Sequence, residues 1–221
     1  MQSTITEDLS TNFRWYQNQT VIHTFTLLDL LDESIRDSHL IQLMTEFGSP
    51  TRGHAASMTA KRIGYLAALM IYTRRRHAVE MSPEECRFIT IQDTSTKAGW
   101  LPVYSFPLQT LESSPSTVEW ITKDLYTKML VPLVELLAKE KGISRVVLFE
   151  NIFTYMKWIF ITKLQDVDTF KQLLQTPAIA FGVSKQHPLA LYESEPNSYR
   201  KTCCLFYQTQ GAVKPCKTCP L

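Results

Sequence analysis

No glycine-rich phosphate loop, no H-E-x-x-H pair and no dinucleotide fingerprint occurs in the 221 residues. A flavin or nicotinamide site built by this chain is therefore not expected. No internal repeat and no low-complexity tract is visible, which sets aside solenoids and disordered scaffolds. An excess of one charge is missing too: 23 Lys and Arg against 21 Asp and Glu leave a net +2, too little to argue for nucleic acid. The start, MQSTITEDLS, lacks the basic residues and apolar run of a signal peptide, which predicts a cytoplasmic protein. The most apolar stretch, VVLFENIFTYMKWIFITKL, is interrupted by Glu150, Asn151, Lys157 and Lys163, so it reads as a buried core helix and not as a bilayer span.

What is present fits a soluble globular chain: 44% hydrophobic and 20% charged residues, enough to bury one core. Apolar residues recur at helical spacing between Thr24 and Phe47, which predicts one or two helices. After the break at GSPTRG, the stripe Met58, Ile63, Leu66, Ala67, Met70 and Ile71 predicts a helix reaching about Arg75. CRFITIQD and GWLPVYSF read as a strand pair with an edge at Pro102. Ser116 with Glu119 gives a capping box opening a helix to Lys141, which Pro132 divides or kinks. Ser144 caps the next helix, to about Leu164, and VDTFKQLLQ forms a short one. Beyond Pro177, AIAFGV, LALYE and TCCLFY read as short strands leading into the tail. The expected class is α+β: a predominantly helical body with a small antiparallel sheet at 1–198, and a cysteine-rich extension at 199–221.

Four of the five cysteines lie in that extension: Cys203 and Cys204 are adjacent, and Cys216 and Cys219 form a C-x2-C. In a reducing compartment such a cluster points to metal or redox chemistry rather than structural disulfides. Four thiolates complete either a tetrahedral zinc site or a [2Fe–2S] cluster. Adjacent side chains on an extended backbone point in opposite directions, which suits a single zinc ion poorly. Two iron atoms offer adjacent cysteines more ways to attach, so the spacing tilts toward iron–sulfur.

The run RKTCCLFY, the intervening loop and the closing CKTCPL resemble the C-terminal signature of the FhuF-type ferric-siderophore reductases. In that family the loop between the cysteine pairs usually has ten residues, and here it has eleven. The stretch HAASMTAKRIGYLAALMIY and the helices from Ser116 to Leu164 are similar in type to the family's helical body. That body in turn resembles the C-terminal domain of siderophore synthetases of the aerobactin-synthetase kind. The resemblance implies a cytoplasmic oxidoreductase with a [2Fe–2S] cluster on Cys203, Cys204, Cys216 and Cys219. It implies a ferric siderophore, of hydroxamate or citrate-hydroxamate type, as substrate. A separate electron donor, such as a ferredoxin or a reductase, follows from the lack of a nucleotide or flavin site. Arg200, Lys201, Lys214 and Lys217 surround the cysteines without an acidic neighbour and are candidate contacts for an anionic iron complex.

Two readings of other classes use the same residues. One is a non-catalytic binding protein with a structural four-cysteine zinc site; the other is an iron–sulfur electron carrier serving a protein partner. Cys86 reads as a small buried hydrophobe, and His23, His39, His54, His77 and His187 lack companions at ligand spacing. Ser57 and Lys61, four apart on one helix face, read as a structural pair rather than a nucleophile and its base. Arg74 to Arg76 suit the end of a helix dipole, and Trp158 is a candidate pocket wall by size alone.

Overall fold

The computed structural model describes residues 2–15, 23–46, 48–80, 87–90, 103–106, 108–110, 116–193, 199–209 and 219–220. These are predominantly helical. The chain opens with α1 (Gln2–Asn12), passes through strand β1 (His23–Thr26) and continues into α2 (Glu33–Glu46). The long helix α3 (Arg52–His77) follows. Thr51 starts α3 by accepting the His54 N–H on its hydroxyl, and Ala78, in the left-handed region at φ 51°, ends it. The sequence stripe foresaw one apolar face, but residues 53–74 of α3 are buried on every side. Small residues explain this, because Gly53, Ala55, Ala56, Ala60, Gly64, Ala67 and Ala68 let neighbours close in around the helix.

Strand pairing among the described residues is limited to segments of two to four residues. β2 (Val79–Glu80) lies antiparallel to β5 (Gln109–Thr110). β3 (Arg87–Thr90) pairs with β1, His23 opposite Thr90, and with β4 (Val103–Ser105), Ile89 opposite Val103. The expected pairing between the 86–93 and 99–106 stretches is therefore present, and β1 is an addition to it.

Ser116 caps α4 (Thr117–Glu119) by accepting the Glu119 N–H at 3.2 Å, as the capping box foretold. The chain then widens into a π-helical segment (Trp120–Leu130) and resumes as α5 (Val131–Leu137), with Pro132 in its first turn. Proline has no N–H to give the preceding turn, and the altered hydrogen-bond pattern lies just ahead of it. α6 (Arg145–Trp158) runs on through a second π-helical segment (Ile159–Leu164) to Gln165, which is left-handed at φ 54°. Ser144 occupies the cap position of α6 without a side-chain cap bond. α7 (Val167–Gln175) follows, its cap Asp166 accepting the Thr169 N–H.

The strands expected after Pro177 are not formed. Ala178–Phe181, Ala190–Tyr192 and Phe206–Gln208 are single 3-10 turns. The first closes its own turn, the Ala180 and Gly182 N–H groups donating to the Pro177 and Ile179 carbonyls, and His187 provides the reason for the second, its Nδ1 accepting the Leu189 and Ala190 N–H groups while its Nε2 donates to the Thr176 carbonyl at 2.8 Å. The Leu189 and Ala190 N–H groups are thus satisfied by a side chain and need no strand partner. In the third segment Leu205 sits at φ 62°, which breaks an extended run.

The packing of α3 against α6 positions the candidate site. A Cβ on Gly64 would lie 2.9 Å from the Ile152 Cα and 3.3 Å from the Asn151 carbonyl oxygen, so the helices cross at backbone contact. Beside the crossing, Tyr65 stacks on Tyr104 and on Trp158, and Phe13 meets Trp158 edge-on. Trp158 is thus part of the aromatic core. No helix among the described residues is long and apolar enough to cross a membrane.

Candidate metal centre

On α3, His54, Ser57 and Lys61 fall at spacings of three and four and share one face. The tail lies across this face and across Glu150 and Asn151 of α6. Glu150, almost fully buried, accepts the Lys201 N–H on Oε1 at 2.7 Å and the Thr202 N–H on Oε2 at 2.8 Å. The Thr202 hydroxyl also donates to Oε2, and the Arg200 guanidinium stands 3.6 Å away. A buried carboxylate is tolerated only when so paired.

A second set of bonds runs through Asn151. Arg200 Nη2 donates to Asn151 Oδ1 at 2.7 Å, and Asn151 Nδ2 donates to Ser57 Oγ at 2.9 Å and to the Ser57 carbonyl at 3.1 Å. Ser57 Oγ then donates to the Cys204 carbonyl at 2.7 Å. This chain of donors begins and ends in the tail, four residues apart, and passes through both helices. Further on, His54 Nε2 lies 3.2 Å from Thr209 Oγ1, while its Nδ1 lies 2.9 Å from Ser49 Oγ. Burial pushes the His54 imidazole below its ordinary pKa of 6.5, against an opposing backbone bond with Leu205.

The cysteine pair is held between these anchors. Cys204 is buried and Cys203 half-buried, and neither they nor Cys219 form a disulfide. The Cys203 and Cys219 thiols are hydrogen-bonded to each other, and the Leu205 N–H donates to Cys203 Sγ at 3.3 Å. Burial raises the Cys203 thiol above its ordinary value, and the neighbouring Cys204 and Cys219 add to this. Cys204 shifts the other way. Burial pushes its pKa up, but the charges of Lys61 and Arg200, the Phe206 N–H and a hydrogen bond from Lys61 together hold it below the ordinary thiol range.

The sequence marks Arg200 and Lys201 as substrate contacts, and the structure gives them other partners. The Arg200 side chain is only 7% exposed and is engaged by Glu150 and Asn151, while the Lys201 ammonium donates to the Leu191 carbonyl. Cys86, Lys214, Cys216 and Lys217 lie outside the described residues. In the sequence Glu150 and Asn151 serve only to exclude a membrane span. Their polarity within an apolar helix was the available signal, since such groups require buried partners.

Among the described residues no three Cys, His, Asp or Glu side chains converge on one metal position. The remaining observations favour a thiolate-bound group. Cys203 and Cys219, far apart in sequence, meet, and Cys204 is biased toward its ligating form. Arg200 Nε is buried without an acceptor among the described residues, and the Arg200 charge acts on the Cys204 thiol.

Residues 200–221 match the FhuF 2Fe-2S C-terminal domain. The chain is consistent with an FhuF-type protein. The match covers the tail, from Arg200 through the last cysteine pair, and the domain is named for the [2Fe–2S] cluster. No curated protein matches the chain. The match begins at Arg200, whose side chain bonds to Asn151 of α6.

Proposed function

We propose that this chain is a cytoplasmic ferric-siderophore reductase whose cluster is held by Cys203, Cys204, Cys216 and Cys219, with 199–221 as a cluster-binding segment docked on the 1–198 body. The observation that carries this reading is the [2Fe–2S] domain match at 200–221, on a tail whose vicinal cysteines are fixed to α3 and α6 by buried polar bonds. When bound, the cluster supplies electrons one at a time. A ferric siderophore holds a hard Fe(III) ion in oxygen ligands, and Fe(II) binds the same ligands far less tightly, so one electron per iron releases the metal. The residues described here position the site. Glu150 and Asn151 hold the backbone entering the cysteine pair, Ser57 holds the Cys204 carbonyl, and Lys61 and Arg200 favour the Cys204 thiolate. Lys214 and Lys217, together with the exposed Lys201 and with Arg200, are the candidate cations for attracting an anionic iron complex. The electron reaches the site from a separate donor protein.

The test starts with anaerobically purified protein. Visible charge-transfer bands with iron and acid-labile sulfide in equal amounts are expected, and a colourless protein carrying one zinc ion per chain would sink the redox reading. Ferric hydroxamate added to the dithionite-reduced protein then reoxidises it, with Fe(II) captured by a chelator. A reduced protein that transfers nothing is instead a carrier. Charge reversal of Lys214 and Lys217 slows transfer if they attract the complex, and an unchanged rate removes that role.

A further inference from the structure

Ser57 and Lys61 address the same tail residue from one turn of α3. Ser57 Oγ donates to the Cys204 carbonyl at 2.7 Å, and Lys61 donates a hydrogen bond to the Cys204 side chain. The Lys61 ammonium also lies 4.7 Å from the centroid of the Phe206 ring, two residues further along the tail. Lys61 is only 8% exposed, so solvent screens its charge far less than that of a surface lysine. Cys204 itself is 1% exposed, which makes its sulfur the most enclosed of the described cysteines. A cation donating to an enclosed ligand sulfur differs from the solvated lysines of a terminal loop: its position is set by a buried helix, a ring and a thiol together.

We infer that Lys61 is a positioning residue of the redox centre, with its ammonium held between the Cys204 sulfur and the Phe206 ring so that it raises the reduction potential of the cluster. This rests on the reading that the tail binds the cluster. Taking up one electron adds one negative charge to the site, and a fixed cation at a ligand sulfur stabilises the charged form more than the uncharged one. Hydrogen bonds to sulfur and net charge are the means by which proteins set such potentials. Arg200 acts on the same thiol, but it also carries the bond to Asn151. Lys61 is therefore the residue at which charge is separable from docking: its stem can be replaced while Ser57, Asn151 and Glu150 keep the tail in place.

Redox titration of the anaerobically purified holoprotein, followed by visible absorbance, compares the native chain with Lys61→Met and Lys61→Arg. At the native midpoint Lys61→Met is expected to show a reduced-to-oxidised ratio at least about tenfold lower, a fall of about 59 mV for one electron, and Lys61→Arg to stay within about twofold. Loss of colour in Lys61→Met with retention in Lys61→Arg overturns the inference, because the cation is then needed to hold the cluster and its charge is not separable from docking. A Lys61→Met protein that keeps its iron and titrates with the native chain overturns it. So does loss of colour in both variants while the native protein stays coloured. A colourless native protein overturns the cluster reading itself, which distinguishes that failure from the failure of the Lys61 assignment.

Discussion

Glu150→Ala tests the docking of the tail most directly. The carboxylate accepts two consecutive backbone N–H groups, at 2.7 and 2.8 Å, and the Thr202 hydroxyl, with Arg200 alongside. Side-chain exposure is 3% for Glu150 and 7% for Arg200, so little of this interaction is screened. Removing one partner of a buried, hydrogen-bonded ion pair costs about 3–5 kcal/mol, because the other charge is left unmatched. Summing three charge-assisted bonds at about 1.5–3 kcal/mol each would count the same desolvation repeatedly, so the lower figure of about 3 kcal/mol is used. The undocked tail regains water at its freed donors, so the loss appears as local opening rather than unfolding of the body. At about 1.4 kcal/mol per decade the opening constant rises about 10²-fold. Amide hydrogen exchange reads this at Lys201 and Thr202, with interior amides of α6 such as Ile152 as the internal control. Glu150→Gln keeps the volume and one acceptor and is expected between native and Ala. Protection at Lys201 and Thr202 falling by less than about threefold in Glu150→Ala, against the roughly 10²-fold expected, would refute the anchoring role.

Three other perturbations probe the supports of the site. Asn151→Leu removes one acceptor and two donor bonds at a fully buried position, and urea unfolding is expected to show a loss of about 2–4 kcal/mol, since each orphaned group costs about 1–3. Gly64→Val places side-chain atoms where even a Cβ would stand 2.9 Å from the Ile152 backbone; a lowered melting temperature and a loss of at least about 1–3 kcal/mol are expected, and a neutral result would contradict the close crossing. Asp8 is raised by burial but lowered more by hydrogen bonds from His77, Tyr72 and Asn12, so its folded pKa lies below 3.8. Its contribution is complete above the unfolded value and disappears as pH falls through the folded one. Unfolding free energies measured from about pH 5 downward should therefore fall less steeply in Asp8→Asn than in the native protein.

Short-range signals in the chain translated well. The Ser116 and Glu119 pair did form a cap, and the bounds of the helix at VDTFKQLLQ followed from its own residues. Arg74, Arg75 and Arg76 did close a helix, as their dipole preference requires. Two of them took specific partners that no local pattern announces: Arg74 lies 4.6 Å from the Trp120 ring and Arg75 pairs with Asp166. The post-Pro177 segments failed as strands for a related reason, because β-branched and aromatic content describes a half-buried surface and not a hydrogen-bond partner. For the second of them His187 supplied the partner from within the loop. Four clustered cysteines could be read as a metal centre because ligand chemistry depends on residue type and spacing. What holds them depends on pairs such as Ser57 with Cys204 and Glu150 with Thr202, which only the packing of α3 on α6 brings together.

That packing assigns separate tasks to residues close in sequence. Glu150 and Asn151 are neighbours on α6, yet one binds the backbone at 201 and 202 and the other serves Arg200 and Ser57. Ser57 and Lys61 are one turn apart on α3, yet one holds the Cys204 carbonyl and the other its sulfur. A tail fixed only by its cysteines would depend on the metal for its place, as small metal-bound modules do. Here the backbone at 200–204 has partners of its own, so the ligands on that side are positioned before any metal binds. Preorganisation of this kind limits how far Cys204 can move when the charge of the centre changes. Loosening an anchor without removing a charge lets the sulfur move away from Lys61 and should lower the potential in the same direction as removing the Lys61 charge. Asn151→Leu and Lys61→Met should then combine less than additively in a redox titration, since each acts through Cys204, whereas Glu150→Ala would also remove a negative charge. Fully additive shifts would separate the anchor from the charge and show that they reach the centre by different routes.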